Sequence, residues 1–178
     1  MKKAKLEMIN AFFKLAKVNP ISKIKVKHVT DLANYNRCTF YQYFEDIYDL
    51  LDQAENMLIE QIKNKVEQAY SSNVSYEDIL ILAASSFQEF GEILSILMGP
   101  GGSPSFHNKY MNMLRPVVRS IMKKKKLYYN DFLAEYAVGA FLSTVSYWYY
   151  HQENMSAEEL ASMIYDLTTE GIFPGKRG

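Results

Sequence analysis

Apolar residues recur every three or four positions along nearly the whole chain. This spacing is that of one face of an α-helix, and only the short β-branched run at residues 24–29 would suit a strand. The breaks between the periodic segments are short, and no internal repeat or low-complexity tract is present. We therefore predict an all-α fold of about eight helices.

The first 44 residues are predicted to form three helices. The first is expected over residues 3–18, ending before Pro20 because proline disfavours helix in the residue that precedes it. The second covers residues 26–33 and the third residues 37–44, with only three residues between them.

Five longer helices are predicted beyond this point. Asp46 is expected to cap the fourth helix, with Asp49 at its third position. The sixth is expected to start at Ser105, and Ser156 with Glu159 forms the sequence of a capping box for the eighth. Asn130 or Asp131 is expected to cap the seventh. The predicted ranges are 47–70, 76–98, 105–126, 131–153 and 156–171.

Charge is distributed unevenly along the chain, although its total is zero. Residues 1–44 contain nine lysines and arginines against two acidic residues, a net charge of +7, and residues 45–178 carry −7. Such asymmetry indicates an N-terminal module that meets a polyanion and a C-terminal module that does not. A basic segment that only aids solubility is the alternative.

Cysteine usage and hydropathy indicate a soluble protein of a reducing compartment. A single cysteine excludes an intrachain disulfide framework. Charges interrupt the N-terminal segment throughout, so no signal peptide is expected. The longest uncharged stretch, residues 136–152, is rich in hydroxyl groups and is interpreted as a buried helix rather than a membrane span. We expect a cytoplasmic protein without a membrane partner.

The second and third helices have the spacing of a helix-turn-helix, whose second helix fits the major groove of B-DNA. Asn34 can adopt the left-handed conformation that such a turn requires, and Asn36 can cap the third helix. Stepping 100° per residue places Phe40 and Phe44 on the side of the third helix that faces the core. The opposite side is then free to contact bases.

That opposite side carries groups suited to DNA. Arg37 can bind guanine O6 and N7 with two hydrogen bonds. The hydroxyls of Thr39 and Tyr41 suit phosphate oxygens, which position a protein without specifying sequence. The residues expected to bind DNA, including two lysines near the start of the second helix, are Lys25, Lys27, Asn36, Arg37, Cys38, Thr39, Tyr41, Gln42 and Tyr43.

The run VKHVTDLANYNRCTFYQYFEDIYDLL resembles the DNA-binding segment of the tetracycline-repressor-like (TetR/AcrR) family of bacterial regulators. The specific part is Thr-Phe-Tyr-x-x-Phe at residues 39–44, followed by Leu50 and Leu51. The rest of the chain is similar to the family in its helical layout. The seventh helix, with Tyr-x-x-Gly and a tryptophan, is similar to the branch that includes regulators of dihydroxyacetone kinase genes.

Three positions depart from the family pattern. Asn34 replaces the usual glycine of the turn, and Cys38 replaces a glycine or similar small residue early in the third helix. Ile47 stands where a lysine commonly meets a phosphate. That phosphate contact is expected to fall to Lys25, Lys27 or the amides at the start of the fourth helix.

The resemblance implies a helix-turn-helix DNA-binding domain over residues 1–46 and a helical regulatory and dimerisation domain over residues 47–178. It implies a homodimer on double-stranded, palindromic operator DNA, more often a repressor than an activator. The alternative is a helical protein-interaction module that keeps the dimer but does not read DNA.

The resemblance implies dimerisation through the last two helices. Small residues in the seventh, which allow close approach, and an apolar stripe on the eighth support this expectation. The residues concerned are Gly139, Ala140, Ser143, Leu160, Met163, Ile164 and Leu167. Two such helices from each subunit would form a four-helix bundle.

The family commonly encloses a small-molecule inducer, and aromatic and methionine residues are the candidates to line its site. They are Phe87, Phe90, Met98, Phe106, Tyr110, Met111, Phe141, Tyr147 and Trp148. Since no cluster of charges accompanies them, an inducer is expected to be apolar or aromatic. The alternative is that these residues form an ordinary core.

Other chemistry is not indicated by the sequence. The three histidines are far apart and lack cysteine or carboxylate neighbours at ligand spacing, so no metal site is expected. No nucleophile or metalloprotease motif is present, so no enzyme activity and no cofactor are expected.

Overall fold

The computed structural model describes residues 3–71, 75–99, 101–124, 130–151 and 155–169. The regular structure in these ranges is helical, which confirms the predicted all-α class. A short 3₁₀ turn occupies Ile21–Lys23. The α-helices are α1 (Lys3–Ala16), α2 (Val26–Ala33), α3 (Arg37–Tyr41), α4 (Ile47–Ser71), α5 (Tyr76–Met98), α6 (Pro104–Lys124), α7 (Asn130–His151) and α8 (Ala157–Thr169).

Most helix starts follow the local signals in the sequence. The amide of Asp49 donates to Asp46 Oδ1 at 2.8 Å, so Asp46 caps α4 as predicted. At α8 the predicted capping box forms, because Glu159 N donates to Ser156 Oγ at 3.1 Å and Ser156 N donates to Glu159 Oε2 at 2.7 Å. The predicted ends of the sixth, seventh and eighth helices lie outside the described residues.

The predicted start of the sixth helix is wrong. The helix begins at Pro104, and Ser103 rather than Ser105 is its cap: Phe106 N donates to Ser103 Oγ at 3.3 Å. Proline is favoured at the first helical position because its fixed φ suits a helix and its missing amide hydrogen would have no partner there. The glycine-rich connection before it turns at Gly101, whose φ is +75°.

Two N-terminal helices are shorter than predicted. α1 ends at Ala16 rather than residue 18, followed by a hydrogen-bonded turn into Asn19. α3 ends at Tyr41 rather than residue 44, because Tyr43 N donates to Phe40 O at 2.9 Å and tightens the last turn. The 3₁₀ turn at Ile21–Lys23 was not predicted, since a single turn is too short to show a periodic pattern.

The chain divides into two compact units. Unit 1 comprises Met1–Ile59 and Glu92–His107, and unit 2 comprises Glu60–Gly91 and Asn108–Gly178. Unit 1 therefore includes the segment predicted to bind DNA. It also includes the first half of α4 and the connection between α5 and α6.

Each unit has its own apolar core. In unit 1 the fully buried side chains include Met8, Phe12, Phe40, Phe44 and Leu50. In unit 2 they include Ile62, Phe87, Tyr110, Leu142 and Val145. Helices α5 and α7 approach closely in unit 2, since a Cβ added at Gly91 would lie 2.3 Å from Tyr149 Cε2. Glycine at residue 91 therefore makes room for the Tyr149 ring.

One segment of the described chain, Glu77–Met98 in α5, is long and apolar enough to cross a membrane by composition. It is not the stretch singled out from the sequence. A core helix of a soluble protein passes the same test, and α5 places Leu80, Ala84 and Phe87 among the buried residues. We interpret α5 as a core helix.

Candidate nucleic-acid interface

A tight turn joins α2 to α3. Asn34 adopts the left-handed conformation, with φ 57° and ψ 43°, as predicted. The amide of Tyr35 donates to Thr30 O at 2.9 Å, which is the 6→1 hydrogen bond of a Schellman motif. Asparagine tolerates this conformation better than other non-glycine residues. The turn thus ends α2 and redirects the chain within three residues.

Asn36 starts α3 as predicted. Its Oδ1 accepts the amide of Thr39 at 2.8 Å and the hydroxyl of Thr39 at 3.1 Å. The cap satisfies one of the amides that a helix start leaves without a partner. It also holds the Thr39 side chain against the helix start.

Burial separates the two faces of α3. Phe40 and Phe44 are buried, and Val29 of α2 is buried as well. Arg37, Cys38 and Gln42 are exposed. Tyr41 is 58% exposed. The side predicted to face the core does so, and the other side is open to solvent.

Two residues of the predicted DNA-binding set are less open than the rest. Thr39 is half-buried because its hydroxyl bonds to the cap. Tyr43 is half-buried, with its ring 6.3 Å from that of Phe44. Both follow from the position of these side chains at the boundary between the two faces.

Three cations of the predicted DNA-binding set lie at helix starts: Lys25 and Lys27 at the start of α2, and Arg37 at the start of α3. Lys25, Lys27 and Arg37 are exposed, and within the described residues none of them forms an ion pair. Charges that no carboxylate neutralises are available for phosphates. The predicted cations of the set are thus all accessible.

His28 is a further exposed polar residue in the first turn of α2, although it was not predicted to bind DNA. It is exposed next to Lys27, and its Nδ1 accepts the amide of Lys25 at 3.3 Å. In the neutral ring this arrangement leaves the hydrogen on Nε2, which points away from the cap as a donor. The sequence feature that could have identified His28 is its position three residues after Lys25, in the first turn of α2.

The start of α4 is unsuited to a phosphate. Ile47, where the family commonly has lysine, is buried. Two carboxylates lie at this helix start: the amide of Asp49 donates to Asp46 Oδ1, and the amide of Glu45, before the cap, donates to Asp49 Oδ2, each at 2.8 Å. These negative charges oppose an incoming phosphate. Tyr48 is exposed beside them and is the one neutral hydroxyl in this first turn.

A hydrogen bond connects helix α1 to the turn before α3. The hydroxyl of Tyr35 donates to Glu7 Oε2 at 2.5 Å. This hydrogen bond to the Glu7 carboxylate raises the pKa of Tyr35 above its usual value, because ionisation would remove the donor. The contact joins the loop that carries Asn36 to helix α1, because Glu7 lies 28 residues before Tyr35 in the chain.

The residues predicted to line an inducer site are mostly buried, but they are divided between the two units. Met98 and Phe106 belong to unit 1 and the others to unit 2. In unit 2 the rings of Phe87 and Tyr110 are 6.4 Å apart at 70°. Buried members are Phe87, Phe106, Tyr110, Met111 and Phe141, half-buried members are Phe90, Met98 and Trp148, and Tyr147 is exposed.

Two of these aromatic residues have local partners. Trp148 Nε1 donates to Met155 O at 2.8 Å, so its polar group serves the connection to α8. Tyr147 stacks on His151, with ring centroids 3.7 Å apart. A cavity of about 20 Å³ in unit 2 lies among α5, α6 and α7, and Phe141 is the member of the set that lines it.

The residues predicted for dimerisation fall into two groups. In α7, Ala140 and Ser143 are exposed, as is the nearby Tyr136. Gly139 is half-buried. Leu160 and Ile164 are buried within their own chain, whereas Met163 is half-buried and Leu167 is exposed. The exposed side of α7 also carries Phe132, 77% exposed.

The C-terminal region matches a known protein family. Residues 74–170 match the family model of the transcriptional regulator C-terminal region of TetR proteins. The chain belongs to the TetR family of transcriptional regulators. Members of this family bind DNA and dimerise. The exposed α3 and its flanking cations therefore have the context of a DNA-binding fold.

Solved structures of TetR-family regulators share the whole fold. A putative TetR-family regulator from Syntrophomonas wolfei is 15% identical with a TM-score of 0.78, covering 99% of this chain and 98% of that one. The regulator FadR from Bacillus subtilis, in complex with stearoyl-CoA, is 16% identical with a TM-score of 0.75, covering 94% and 99%. At these identities the likeness concerns the fold.

The dihydroxyacetone kinase operon activator DhaS also has this fold, at 18% identity and a TM-score of 0.65, covering 93% of this chain and 94% of that one. The predicted similarity to that branch thus has a structural counterpart. No curated protein sequence matches the chain.

Proposed function

We propose that this TetR-family protein is a cytoplasmic homodimer that represses transcription by occupying a palindromic operator. The observation that carries the proposal is the α3 surface: an exposed reading face beside Lys25, Lys27 and Arg37, which have no ion-pair partner among the described residues. The N-terminal charge of +7 adds long-range attraction to DNA.

The residues of this surface take different roles in the proposal. Arg37 reads a guanine with its forked donors. Lys25, Lys27 and the Tyr41 hydroxyl contact phosphates, which set register but not sequence. Cys38, Gln42 and Tyr43 complete the surface, and Asn36 and Thr39 hold the helix start in place. Lys25 and Lys27, with the neighbouring His28, supply the phosphate contact that Ile47 does not.

Two copies of this surface are needed for a palindrome. Dimerisation through α7 and α8 places two reading helices on one face of the duplex, at a separation of about 34 Å or a multiple of it. The exposed small residues Ala140 and Ser143 support α7 as the contact, since they allow close helix approach.

DNA binding is tested by salt titration and two substitutions on an operator selected from random duplexes. The logarithm of the association constant should fall with the logarithm of salt, with a slope of about −0.9 per phosphate neutralised. Arg37→Ala should cost about 1–3 kcal/mol on the operator and relax preference at one base pair. Lys27→Ala should weaken all sequences alike and reduce the salt slope by about 1.

The matched control is Lys63→Ala, a partly exposed lysine of α4 within 4.0 Å of Glu60. It should leave both affinity and slope unchanged. Salt-independent or absent binding would instead favour the helical interaction module. Equal effects of Arg37→Ala and Lys27→Ala on every sequence would contradict the assigned roles.

We further propose that an apolar ligand releases the operator. It does so by shifting the dimer to a state in which the two α3 surfaces no longer match the spacing of the operator half-sites. The buried aromatic set in unit 2 supports an apolar ligand, and FadR in complex with stearoyl-CoA is a relative of the same fold. Burial raises the pKa of Tyr110, so its hydroxyl stays protonated and can donate to a ligand oxygen.

Stearoyl-CoA is the probe for this second proposal. It should bind the protein and weaken operator affinity, and the operator should weaken ligand affinity by the same factor, because binding free energies are reciprocal. Tyr110→Phe should weaken ligand binding by about tenfold or less, the value of one hydrogen bond, and leave operator affinity unchanged. Ser85→Ala, which removes a hydroxyl that bonds to Ile81 O of its own helix, is the control. Binding of the probe without any effect on operator affinity would contradict the proposal.

A further inference from the structure

Helix α3, which carries the proposed reading face, depends on other parts of the chain for its orientation. It comprises only Arg37–Tyr41, and a helix of that length is not stable by itself in water. Burial of Phe40 attaches it to the core, but apolar contact is non-directional and leaves the tilt of the helix open. The bonds at Asn34 and Asn36 shape the turn from within the same short segment. Directional contacts from more distant residues must therefore orient α3.

The first such contact lies just before α3. The hydroxyl of Tyr35 donates to Glu7 Oε2 of α1, and both side chains are half-buried. A hydrogen bond to a carboxylate is stronger than one between neutral groups. The other oxygen of Glu7 lies 3.8 Å from Lys3 Nζ, but Lys3 is exposed and such a pair contributes little. The main partner that Glu7 offers is thus to the turn before α3.

The second contact lies just after α3. Gln53 Nε2 of α4 donates to Tyr43 O at 3.1 Å, two residues beyond the end of the helix. Lys5 Nζ of α1 donates to Gln53 Oε1, the other polar atom of the same amide. Lys5 Nζ also lies 5.7 Å from the centroid of the Phe44 ring, within the range of a cation–π contact. Helix α1 is thereby connected to the segment that follows α3 as well.

We propose that α1 fixes the orientation of α3 by holding both of its ends, and thereby sets the preference of α3 for one base sequence. The positioning residues are Glu7 with Tyr35 before the helix and Lys5 with Gln53 after it. Lys5 and Glu7 are two residues apart, so their side chains leave α1 in different directions and can reach both ends. None of the four belongs to the predicted DNA-binding set.

Sequence preference is the property that such positioning controls. Hydrogen bonds to base edges need a fixed geometry, whereas phosphate contacts carry no sequence information and are made by flexible lysines as well. A loosened α3 should therefore lose affinity for the operator more than affinity for other DNA. The proposal rests on the proposed operator binding and adds the residues that give it specificity.

The DNA test compares the selected operator with a random duplex of the same length. Tyr35→Phe keeps the ring and removes the hydroxyl. It should weaken operator binding about three- to tenfold, the value of one hydrogen bond, and leave binding to the random duplex within about twofold. Combined with Arg37→Ala it should cost less than the sum of the two single effects, because the hydroxyl acts through the base contacts.

Further variants separate positioning from a general loss of folded protein. Glu7→Gln keeps an acceptor oxygen and should retain most of the operator affinity, whereas Glu7→Leu should match Tyr35→Phe. Gln53→Leu should lower the preference for the operator from the other end of α3. Asn56→Ala, which removes a side-chain hydrogen bond of 2.9 Å within α4, is the control and should change nothing. Equal weakening of operator and random duplex by Tyr35→Phe, or no weakening of either, would overturn the proposal.

A measurement without DNA distinguishes this proposal from operator binding itself. In Tyr35→Phe the amides of Phe40 and Phe44, which donate to Asn36 O and Phe40 O at 3.3 and 3.0 Å, should exchange their hydrogens about threefold faster in NMR. The amide of Leu160 in α8 should exchange as before. If the unsubstituted protein prefers no duplex, the proposed function fails, and faster exchange would still show that α1 holds α3. Unchanged exchange at Phe40 and Phe44 would overturn the positioning role whatever the DNA result.

Discussion

Two asparagines, two residues apart, control how α3 is presented. Asn34 ends α2 with a positive φ, and Asn36 starts α3 by accepting the amide of Thr39. The two positions need different properties. Residue 34 must tolerate the left-handed backbone conformation, and residue 36 must offer a side-chain oxygen as an acceptor. Between them, Tyr35 is held by Glu7.

Substitution separates these two roles. Asn36→Ala removes the cap and should lower the free energy of unfolding by about 1 kcal/mol. Asn34→Gly should be neutral within a few tenths of a kcal/mol, because glycine adopts the left-handed conformation freely, whereas Asn34→Ala should cost about 1 kcal/mol. Urea denaturation with an unchanged m-value is the measurement. A stable Asn36→Ala, or an Asn34→Gly as costly as Asn34→Ala, would show that the backbone geometry is set elsewhere.

Helix α7 has a side that the described residues of its own chain leave exposed. Ala140 and Ser143 lie on it with Phe132, Tyr136 and Tyr147. Large exposed aromatic residues along one side of a helix are typical of a surface that meets a partner. Gly139 is next to this side, and a Cβ added there would meet nothing within 4 Å in the same chain.

This side of α7 can be tested without disturbing the protomer. Ser143→Arg should raise the dimer dissociation constant at least tenfold in analytical ultracentrifugation, because it places a charge in a close helix contact. Gly139→Ala should leave the protomer as stable or more stable, by up to about 1 kcal/mol, since alanine favours helix. Gln88→Arg, at an exposed position of α5, is the control. A Ser143→Arg protein that remains fully dimeric would remove α7 from the proposed interface.

At the scale of the whole molecule, we propose that dimerisation and operator binding are coupled equilibria, so that each strengthens the other. A palindrome is bound tightly because two heads bind together, so a monomeric Ser143→Arg protein should lose operator affinity while its affinity for a single half-site stays the same. The ligand proposed for unit 2 acts on this equilibrium only if it binds one state of the dimer better than another.

Much of this organisation follows from the sequence by itself. Helix periodicity, the caps at Asp46, Asn36 and Ser156, and the left-handed Asn34 depend on residues within about five positions of each other. Local interactions of this kind are present wherever the same residues occur. The all-α class, the helix-turn-helix and its basic surface were therefore predictable.

Only the tertiary structure decided how far each element extends and which side of it remains open. Phe40 and Phe44 pack in the core, and the last turn of α3 tightens around them, so the helix stops at Tyr41. The exposed side of α7 and the depth of Glu55 also depend on residues distant in the sequence. An apolar helix shows the same pattern whichever side is covered, because burial is decided by the partners that pack against it.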